Sequence, residues 1–300
     1  MMNGINALIL SLSMGITSTL MPGCVSVPLN PNYEGPKPLP QRFEDLTSPA
    51  RPQNMSVALV RKEEGYSVYT LNIDGCKSSL YMPRIKRKKG EEKNKFPTVI
   101  ITPGMGGGEI LTNYIAEGFV DSGISAIILN QPDFLEPEDD GNDLERKLEE
   151  STRNARSVVN WIHSQNKYFD LDRTGSLGIS MGAIRNMILA AVEPRIEANI
   201  FVMGGGNLPH IVLESGETAK YVIERKRREG LSDEGLIEDL SSVVLDPANL
   251  AQYIDARGVL MIISRFDTIV PTKRQIEIRE LMGGPRTIYI PTGHVSGGMS

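Results

Sequence analysis

The chain has 300 residues, of which 40% are hydrophobic, and its formal net charge at pH 7 is -5. This length suffices for one large hydrophobic core, and α/β proteins of this size usually form a single domain. An acidic chain lacks the basic surface that nucleic acids require, and three histidines with two scattered cysteines are too few for a metal cluster. We therefore expect one domain that binds no nucleic acid and uses no metal or cofactor.

The start of the chain is typical of a targeting segment. An apolar run covers residues 5–16, which is too short to span a bilayer, and small and polar residues follow it. Residues 1–23 are predicted to be a signal peptide. Cys24 ends a segment similar to the processing box of bacterial lipoproteins, so its thiol is a candidate for lipidation. We expect a lipid-anchored envelope protein, with a periplasmic or secreted protein and a cytoplasmic one as alternatives.

Residues 24–54 are rich in proline and polar residues and show no hydrophobic period. Such a composition favours an extended spacer, so this segment is predicted to be a tether that holds a globular body away from a membrane. The globular domain is predicted to cover residues 55–300. Its first three strands, at 56–60, 66–73 and 79–82, are expected to pair antiparallel.

From residue 98 onward, β-branched runs alternate with helical patterns, which indicates a mostly parallel sheet with helices on both faces. The predicted strands lie at 98–101, 126–129, 172–178, 198–203, 259–263 and 287–290. The predicted helices lie at 110–121, 144–165, 181–192 and 271–281.

Ser180 lies in a Gly-x-Ser-x-Gly pentapeptide between the strand at 172–178 and the apolar helix at 181–192. A serine that projects its hydroxyl from so tight a turn needs strained dihedral angles and neighbours without side chains, which Gly178 and Gly182 supply. We interpret Ser180 as a nucleophile. An ordinary glycine turn is the alternative.

A second glycine-rich stretch, residues 102–108, follows the strand at 98–101. Its backbone N–H groups can converge on a developing negative oxygen, so we assign the N–H groups of Met105 and Met181 to an oxyanion hole. A flexible strand-to-helix turn is the alternative. No phosphate-binding motif is present in the stretch.

A serine nucleophile needs a histidine base and a carboxylate that orients it. His163 lies within a predicted helix, and His210 comes too early in the chain for the order Ser, acid, His. His294 follows the strand at 287–290 in a Gly-His loop and is the predicted base. Asp267 follows the C-terminal end of the strand at 259–263, where sites in such sheets gather, and is the predicted acid, with a helix cap as the alternative. Asp255 precedes that strand and would lie at the opposite edge.

Residues 207–253 interrupt the sheet pattern as an insertion, with predicted helices at 217–228 and 232–242. The charged stretch 224–229 is expected to be the solvated outer face of this insertion.

The order and spacing of these motifs resemble the α/β-hydrolase superfamily, and within it the dienelactone-hydrolase and prolyl-oligopeptidase-like esterases. The resemblance covers roughly residues 55–294 and rests on the stretches 103–107, 172–182, 264–271 and 291–294. Pro103 stands where many members of this group carry a histidine. The resemblance implies the α/β-hydrolase fold, with the insertion at 207–253 as a helical cap over the pocket. In such a cap four apolar side chains would line the acyl or alcohol site: Leu208, Ile211, Val212 and Tyr221.

Together these features predict a serine hydrolase that cleaves a small-molecule carboxylic ester through an acyl-enzyme on Ser180. A small-peptide peptidase of the acylaminoacyl type and the same fold is one alternative. A second alternative is an envelope-tethered binding protein that keeps the fold without catalysis.

Overall fold

A computed structural model describes residues 23–84, 95–105, 109–130, 135–136 and 138–294. The ten strands of this part are β1 Val25–Val27, β2 Met55–Lys62, β3 Tyr66–Ile73, β4 Cys76–Pro83, β5 Phe96–Thr102, β6 Ser125–Leu129, β7 Phe169–Ile179, β8 Ala198–Val202, β9 Val259–Ser264 and β10 Arg286–Ile290. The α-helices are α1 Gln41–Thr47, α2 Glu109–Asp121, α3 Gly141–Ser164, α4 Met181–Val192, α5 Leu208–Glu214, α6 Ala219–Glu229, α7 Asp233–Leu240, α8 Pro247–Leu250 and α9 Thr272–Leu281.

All ten strands form one sheet in the order β1-β10-β9-β8-β7-β5-β6-β4-β3-β2. Strands β6, β5, β7, β8, β9 and β10 are parallel, whereas β2, β3 and β4 pair antiparallel and β1 runs antiparallel to β10. Because parallel strands end at the same edge, the loops after β5, β7, β9 and β10 converge there. The predicted mostly parallel sheet is confirmed.

Helices cover both faces of the sheet, as alternating side chains in the central strands require. Ile100 of β5 belongs to a buried cluster with Val159 of α3, whereas its neighbour Ile101 belongs to a cluster with Phe119 of α2. Successive residues of a strand point to opposite faces, so a continuous apolar strand serves two cores.

The segment at residues 24–54 is not the spacer that its proline content predicted. Its first residues form β1, which pairs with β10, and Phe43 of α1 is fully buried with its ring 5.7 Å from the ring of Tyr253. The Tyr33 hydroxyl donates a hydrogen bond of 3.1 Å to the carbonyl of Ile254. Proline excludes regular pairing along the segment, but the apolar residues between the prolines still pack against the main hydrophobic cluster.

The predicted signal peptide lies, except for Gly23, outside the described residues. Cys24 and Cys76 are both half-buried free thiols, and burial raises the pKa of Cys76. Within the described ranges, no helix is both long enough and apolar enough to cross a membrane.

The predicted cap insertion contains the four helices α5, α6, α7 and α8. The side chains expected to line a substrate pocket are instead buried together in a large hydrophobic cluster, which also contains residues of α4: Leu208, Ile211, Val212 and Tyr221. These residues are therefore part of the main core, because the insertion packs on a sheet-covering helix.

The charged stretch of α6 is only partly a solvated face. Arg225 is 2% exposed, and its guanidinium donates to the carbonyl of Asp139 at 2.5 Å and to Glu229 at 2.7 Å. A buried guanidinium requires such partners, so Arg225 joins the insertion to the loop before α3. The expectation of a wholly solvated face was wrong at this residue.

Candidate active site

The turn between β7 and α4 holds Ser180 in a strained backbone conformation, with φ of 55° and ψ of -120°. Two glycines make this geometry possible. A Cβ atom on Gly182 would lie 2.0 Å from the carbonyl oxygen of Thr102, and one on Gly178 would lie 2.3 Å from the carbonyl oxygen of Gly182. No side chain fits in either place, so the spacing of the pentapeptide follows from sterics.

The three residues predicted to act together are in hydrogen-bond contact. The Nε2 atom of His294 lies 2.8 Å from the Ser180 hydroxyl oxygen, and its Nδ1 atom lies 2.7 Å from Oδ2 of Asp267. The imidazole is 11% exposed and the carboxylate is 0% exposed. A carboxylate shielded from solvent therefore orients the imidazole of His294, and the other imidazole nitrogen faces the serine hydroxyl. This is the arrangement that activates an alcohol.

The Asp267 carboxylate is fixed by hydrogen bonds on both oxygens. Its Oδ1 atom accepts from the backbone N–H groups of Ile269 and Val270, each at 2.9 Å. Its Oδ2 atom accepts from Nε2 of Gln275 at 2.8 Å as well as facing His294. Four partners leave this carboxylate little freedom to rotate away from the imidazole.

Gln275 was not predicted from the sequence. It lies in α9, is fully buried, and also donates to the carbonyl of Val270 at 2.7 Å while accepting from the N–H of Ser264 at 3.3 Å. A glutamine eight residues after an aspartate is not a recognisable motif. Only the packing of α9 against the end of β9 places its amide beside Asp267.

Further hydrogen bonds join the loop after β9 to the loop after β10. The Ser264 hydroxyl donates to the carbonyl of Thr292, and the N–H of Phe266 donates to the same oxygen at 3.1 Å. The N–H of Arg265 donates to the carbonyl of Ile290 at 3.0 Å. These bonds fix the loop that carries Asp267 relative to the loop that carries His294.

The predicted oxyanion donors come from two segments that meet near the serine. Met181 is the first residue of α4, where a backbone N–H has no partner within its own helix. Met105 follows Gly104, and a Cβ atom on Gly104 would lie 3.5 Å from Cβ of Ser180. The backbone just before Met105 therefore passes close to the Ser180 side chain.

The other histidines and acids considered in the sequence lie elsewhere. His163 is in α3, where burial lowers its pKa, and Nδ1 of His210 is 3.8 Å from Glu214. Asp255 precedes β9 at the opposite sheet edge and pairs with its neighbour Arg257. None of these side chains contacts Ser180 in the described hydrogen bonds.

Asp246 has a structural position in the insertion. Its carboxylate accepts hydrogen bonds from the backbone N–H groups of Asn207 at 2.9 Å, Leu208 at 2.6 Å and Ala248 at 2.8 Å. Burial raises its pKa, although these three donors oppose that shift. Asp246 thus caps the starts of α5 and α8.

Across the described ranges, no three His, Cys, Asp or Glu side chains are grouped as a metal site would require.

Solved structures provide the comparison with known proteins. The chain is similar to an acetyl xylan esterase from Paenibacillus sp. R4, with 17% identity, 85% of this chain and 87% of that chain covered, and a TM-score of 0.65. It is also similar to acetyl xylan esterase 1 from Thermoanaerobacterium sp. JW/SL YS485, with 19% identity, 87% and 91% covered, and a TM-score of 0.61. The chain has the α/β-hydrolase fold.

A third neighbour with the α/β-hydrolase fold is an acylaminoacyl peptidase from Pyrococcus horikoshii. It is 13% identical, with 81% of this chain and 38% of that chain covered, and its TM-score is 0.51. No family model and no curated protein matches the chain. At such low identities the similarity establishes the fold, and the chemistry must be argued from the side chains.

Proposed function

We propose that this protein is a serine hydrolase that cleaves a carboxylic ester through an acyl-enzyme on Ser180. One observation carries the proposal: an unbroken hydrogen-bonded line runs from the Ser180 hydroxyl through His294 to the buried carboxylate of Asp267. The strained φ of Ser180 supports it further, because a merely structural serine gains nothing from a left-handed backbone.

In the first half of the reaction, the Ser180 oxygen attacks the ester carbonyl carbon while Nε2 of His294 takes the hydroxyl proton. Asp267 stabilises the imidazolium and holds it in the tautomer that faces the serine. The N–H groups of Met105 and Met181 would stabilise the negative oxygen of the tetrahedral intermediate. The C–O bond to the alcohol then breaks, and His294 gives its proton to the leaving oxygen.

In the second half, a water molecule replaces the alcohol. His294 takes a proton from this water, the resulting oxygen attacks the acyl carbon, and the bond to Ser180 breaks. The serine recovers its proton from the imidazolium and the carboxylic acid is released. The same residues thus serve twice, with the imidazole alternating between base and acid.

Two of the three similar structures are acetyl xylan esterases, and these two have the higher TM-scores. This similarity favours an ester over a peptide as the substrate. A small-peptide peptidase of the acylaminoacyl type is the second candidate, since one neighbour has that name. We further propose that the protein is held at the cell envelope through Cys24, as its lipoprotein-like context predicts.

A fluorophosphonate probe tests the central claim, because it labels only an activated serine. We expect stoichiometric labelling of the full chain and none of Ser180→Ala or His294→Ala, with Asp255→Asn as a matched control that labels normally. A folded protein that is not labelled would overturn the proposal in favour of a binding protein. Chromogenic esters of increasing acyl length, measured beside an acylated dipeptide anilide, then decide between esterase and peptidase.

A further inference from the structure

The start of the described chain lies at the same sheet edge as Ser180. Following the strand register from β7 to β1, Ile179 pairs with Val202, Val202 with Ile262, Ile262 with Ile288, and Ile288 with Ser26. Ser26 is therefore level with the residue that precedes the serine. Four strand spacings separate the two, which is about 19 Å.

Because β1 runs antiparallel to β10, the residues before Ser26 continue toward the active-site side. Gly23 lies against Pro291, since a Cβ atom built on it would be 3.3 Å from Cγ of that proline. Pro291 is three residues before His294. No spacer separates this point from the body, because pairing with β10 begins at Val25.

Cys24, the candidate for lipidation, immediately precedes β1 and is half-buried. A lipid on its thiol would therefore attach the anchor at the active-site edge itself. Such an anchor would hold this edge close to a bilayer.

Large apolar side chains are exposed around the same edge. Ile110 and Tyr114, one turn apart in α2, are 89% and 74% exposed, and Phe266 beside Asp267 is 67% exposed. Met105 is 43% exposed. We call these four residues the apolar rim. α2 starts at the end of β5 and packs its other face on the sheet, so Ile110 and Tyr114 have no core role.

We propose that the apolar rim rests on a lipid bilayer, so that the active site faces the membrane surface and takes esters carried by amphiphiles embedded there. The anchor point favours a bilayer over a second copy of the chain, because it lies at the same end of the strands as the rim and would hold that end close to the membrane. Tyrosine and aliphatic side chains are also stable at a lipid interface. The choice of substrate rests on the proposed esterase function, whereas the orientation does not.

Tryptophan quenching tests the orientation without any measurement of activity. The chain contains one tryptophan, Trp161, which is buried and gives a constant background. Tyr114→Trp and Ile110→Trp place a reporter in the rim, and Tyr168→Trp places one at the opposite edge, just before β7, where Tyr168 is 50% exposed.

The full-length variants are extracted from host membranes and reconstituted into phosphatidylethanolamine and phosphatidylglycerol vesicles, with and without brominated acyl chains. We expect brominated lipid to quench the rim reporters at least about twofold more strongly than the reporter at residue 168. Equal quenching at both edges, or none at either, would overturn the proposal. So would a chain that stays out of the membrane fraction whether or not Cys24→Ser is introduced.

Activity provides the second test. We expect the double variant Ile110→Ser with Tyr114→Ser to hydrolyse a long-chain ester in vesicles about tenfold more slowly, while hydrolysis of soluble nitrophenyl acetate stays within about twofold. Tyr168→Ser with Leu281→Ser, which removes apolar side chains that are 50% and 53% exposed, is the matched control and should change neither rate.

Equal losses on both esters in the double variant would overturn the membrane orientation. If the wild-type protein hydrolyses neither ester but the rim reporters of Tyr114→Trp and Ile110→Trp are strongly quenched, the esterase function is refuted and the orientation stands. A dimer in detergent that dissociates on Ile110→Ser with Tyr114→Ser would assign the rim to a second copy and overturn the proposal.

Discussion

The two halves of the candidate site are built in different ways. On one side, the turn at Ser180 depends on two glycines near it in sequence, because a Cβ atom on Gly178 or Gly182 would lie 2.3 or 2.0 Å from a backbone carbonyl oxygen. On the other side, Asp267 and His294 come from two separate strands. Their loops are joined by hydrogen bonds between distant residues, including those of Ser264 and Gln275.

This difference teaches where each half is vulnerable. The turn leaves no room for a side chain at Gly178 or Gly182, whereas the paired loops depend on the hydrogen bonds between them. A side chain that clashes with a backbone carbonyl can be accommodated only if the backbone itself moves, which is strongly destabilising. The loss of one hydrogen bond shifts a catalytic group by a fraction of an ångström. Such a shift lowers the catalytic rate more than it lowers the stability of the fold.

The largest expected effect comes from removing the reacting groups on either side. Ser180→Ala or His294→Ala should each lower kcat by about 10⁴- to 10⁶-fold, and the double variant should cost little more because the two groups act as a unit. Asp267→Asn should cost up to about 10⁴-fold by favouring the wrong tautomer. Steady-state kinetics on a soluble ester measure these losses, and a fully active His294→Ala would refute the mechanism.

The next effect tests the steric side. Gly182→Ala should destabilise the protein by more than about 3 kcal/mol, because the new methyl group would meet two backbone carbonyls, those of Thr102 and Pro103, at 2.0 and 2.5 Å. Gly216→Ala, where a Cβ meets nothing within 4 Å, is the matched control. Urea denaturation gives both values, and similar stabilities for the two variants would contradict the steric account.

The hydrogen-bonded side is tested by Gln275→Met, which keeps the size of the side chain but removes the donor to Asp267. We expect kcat to fall about 10- to 100-fold with KM nearly unchanged, since the carboxylate and imidazole shift while the substrate site stays intact. Gln252→Met, at a glutamine whose side chain accepts a hydrogen bond from Lys37, is the matched control and should change neither constant. A rise in KM with an unaltered kcat would show that Gln275 does not position the acid.

The smallest expected effect concerns Glu193, which follows α4 at the far end of the serine-bearing helix. Burial raises its pKa, but hydrogen bonds of 2.6 Å from Arg195 and the charges of Arg195 and Arg156 outweigh this and lower it. A lowered folded-state pKa stabilises the protein above the ordinary value of 4.5, and this stabilisation is lost as the pH falls through the folded-state value.

Glu193→Gln should therefore lower the free energy of unfolding by about 1 kcal/mol near neutral pH, the difference between hydrogen bonds to a charged and to a neutral acceptor. The gap between the two proteins should close as the pH falls below the ordinary glutamate pKa. Urea denaturation at several pH values measures it. A gap that stays constant in acid would contradict the assigned pKa direction.

The sequence by itself determined the features that arise from short-range sterics and periodicity. β-branched runs predicted the parallel strands, and the spacing of Gly178, Ser180 and Gly182 predicted the turn between β7 and α4. The chain order of Ser180, Asp267 and His294 named the side chains that the structure brings into contact. Each of these signals lies within a few residues or in a fixed order along the chain, so it can be recognised without knowledge of the packing.

Only the tertiary structure decided what depends on contacts between distant segments. The proline-rich residues 24–54 lack a periodic signal, and Phe43 among them is buried because it packs into the hydrophobic cluster formed by the rest of the chain. The sequence predicted a solvated Arg225, but partners in another segment bury its side chain. Gln275 contacts Asp267 only because α9 packs beside the loop after β9. These outcomes depend on which distant segments pack together, and neither composition nor motif spacing determines that.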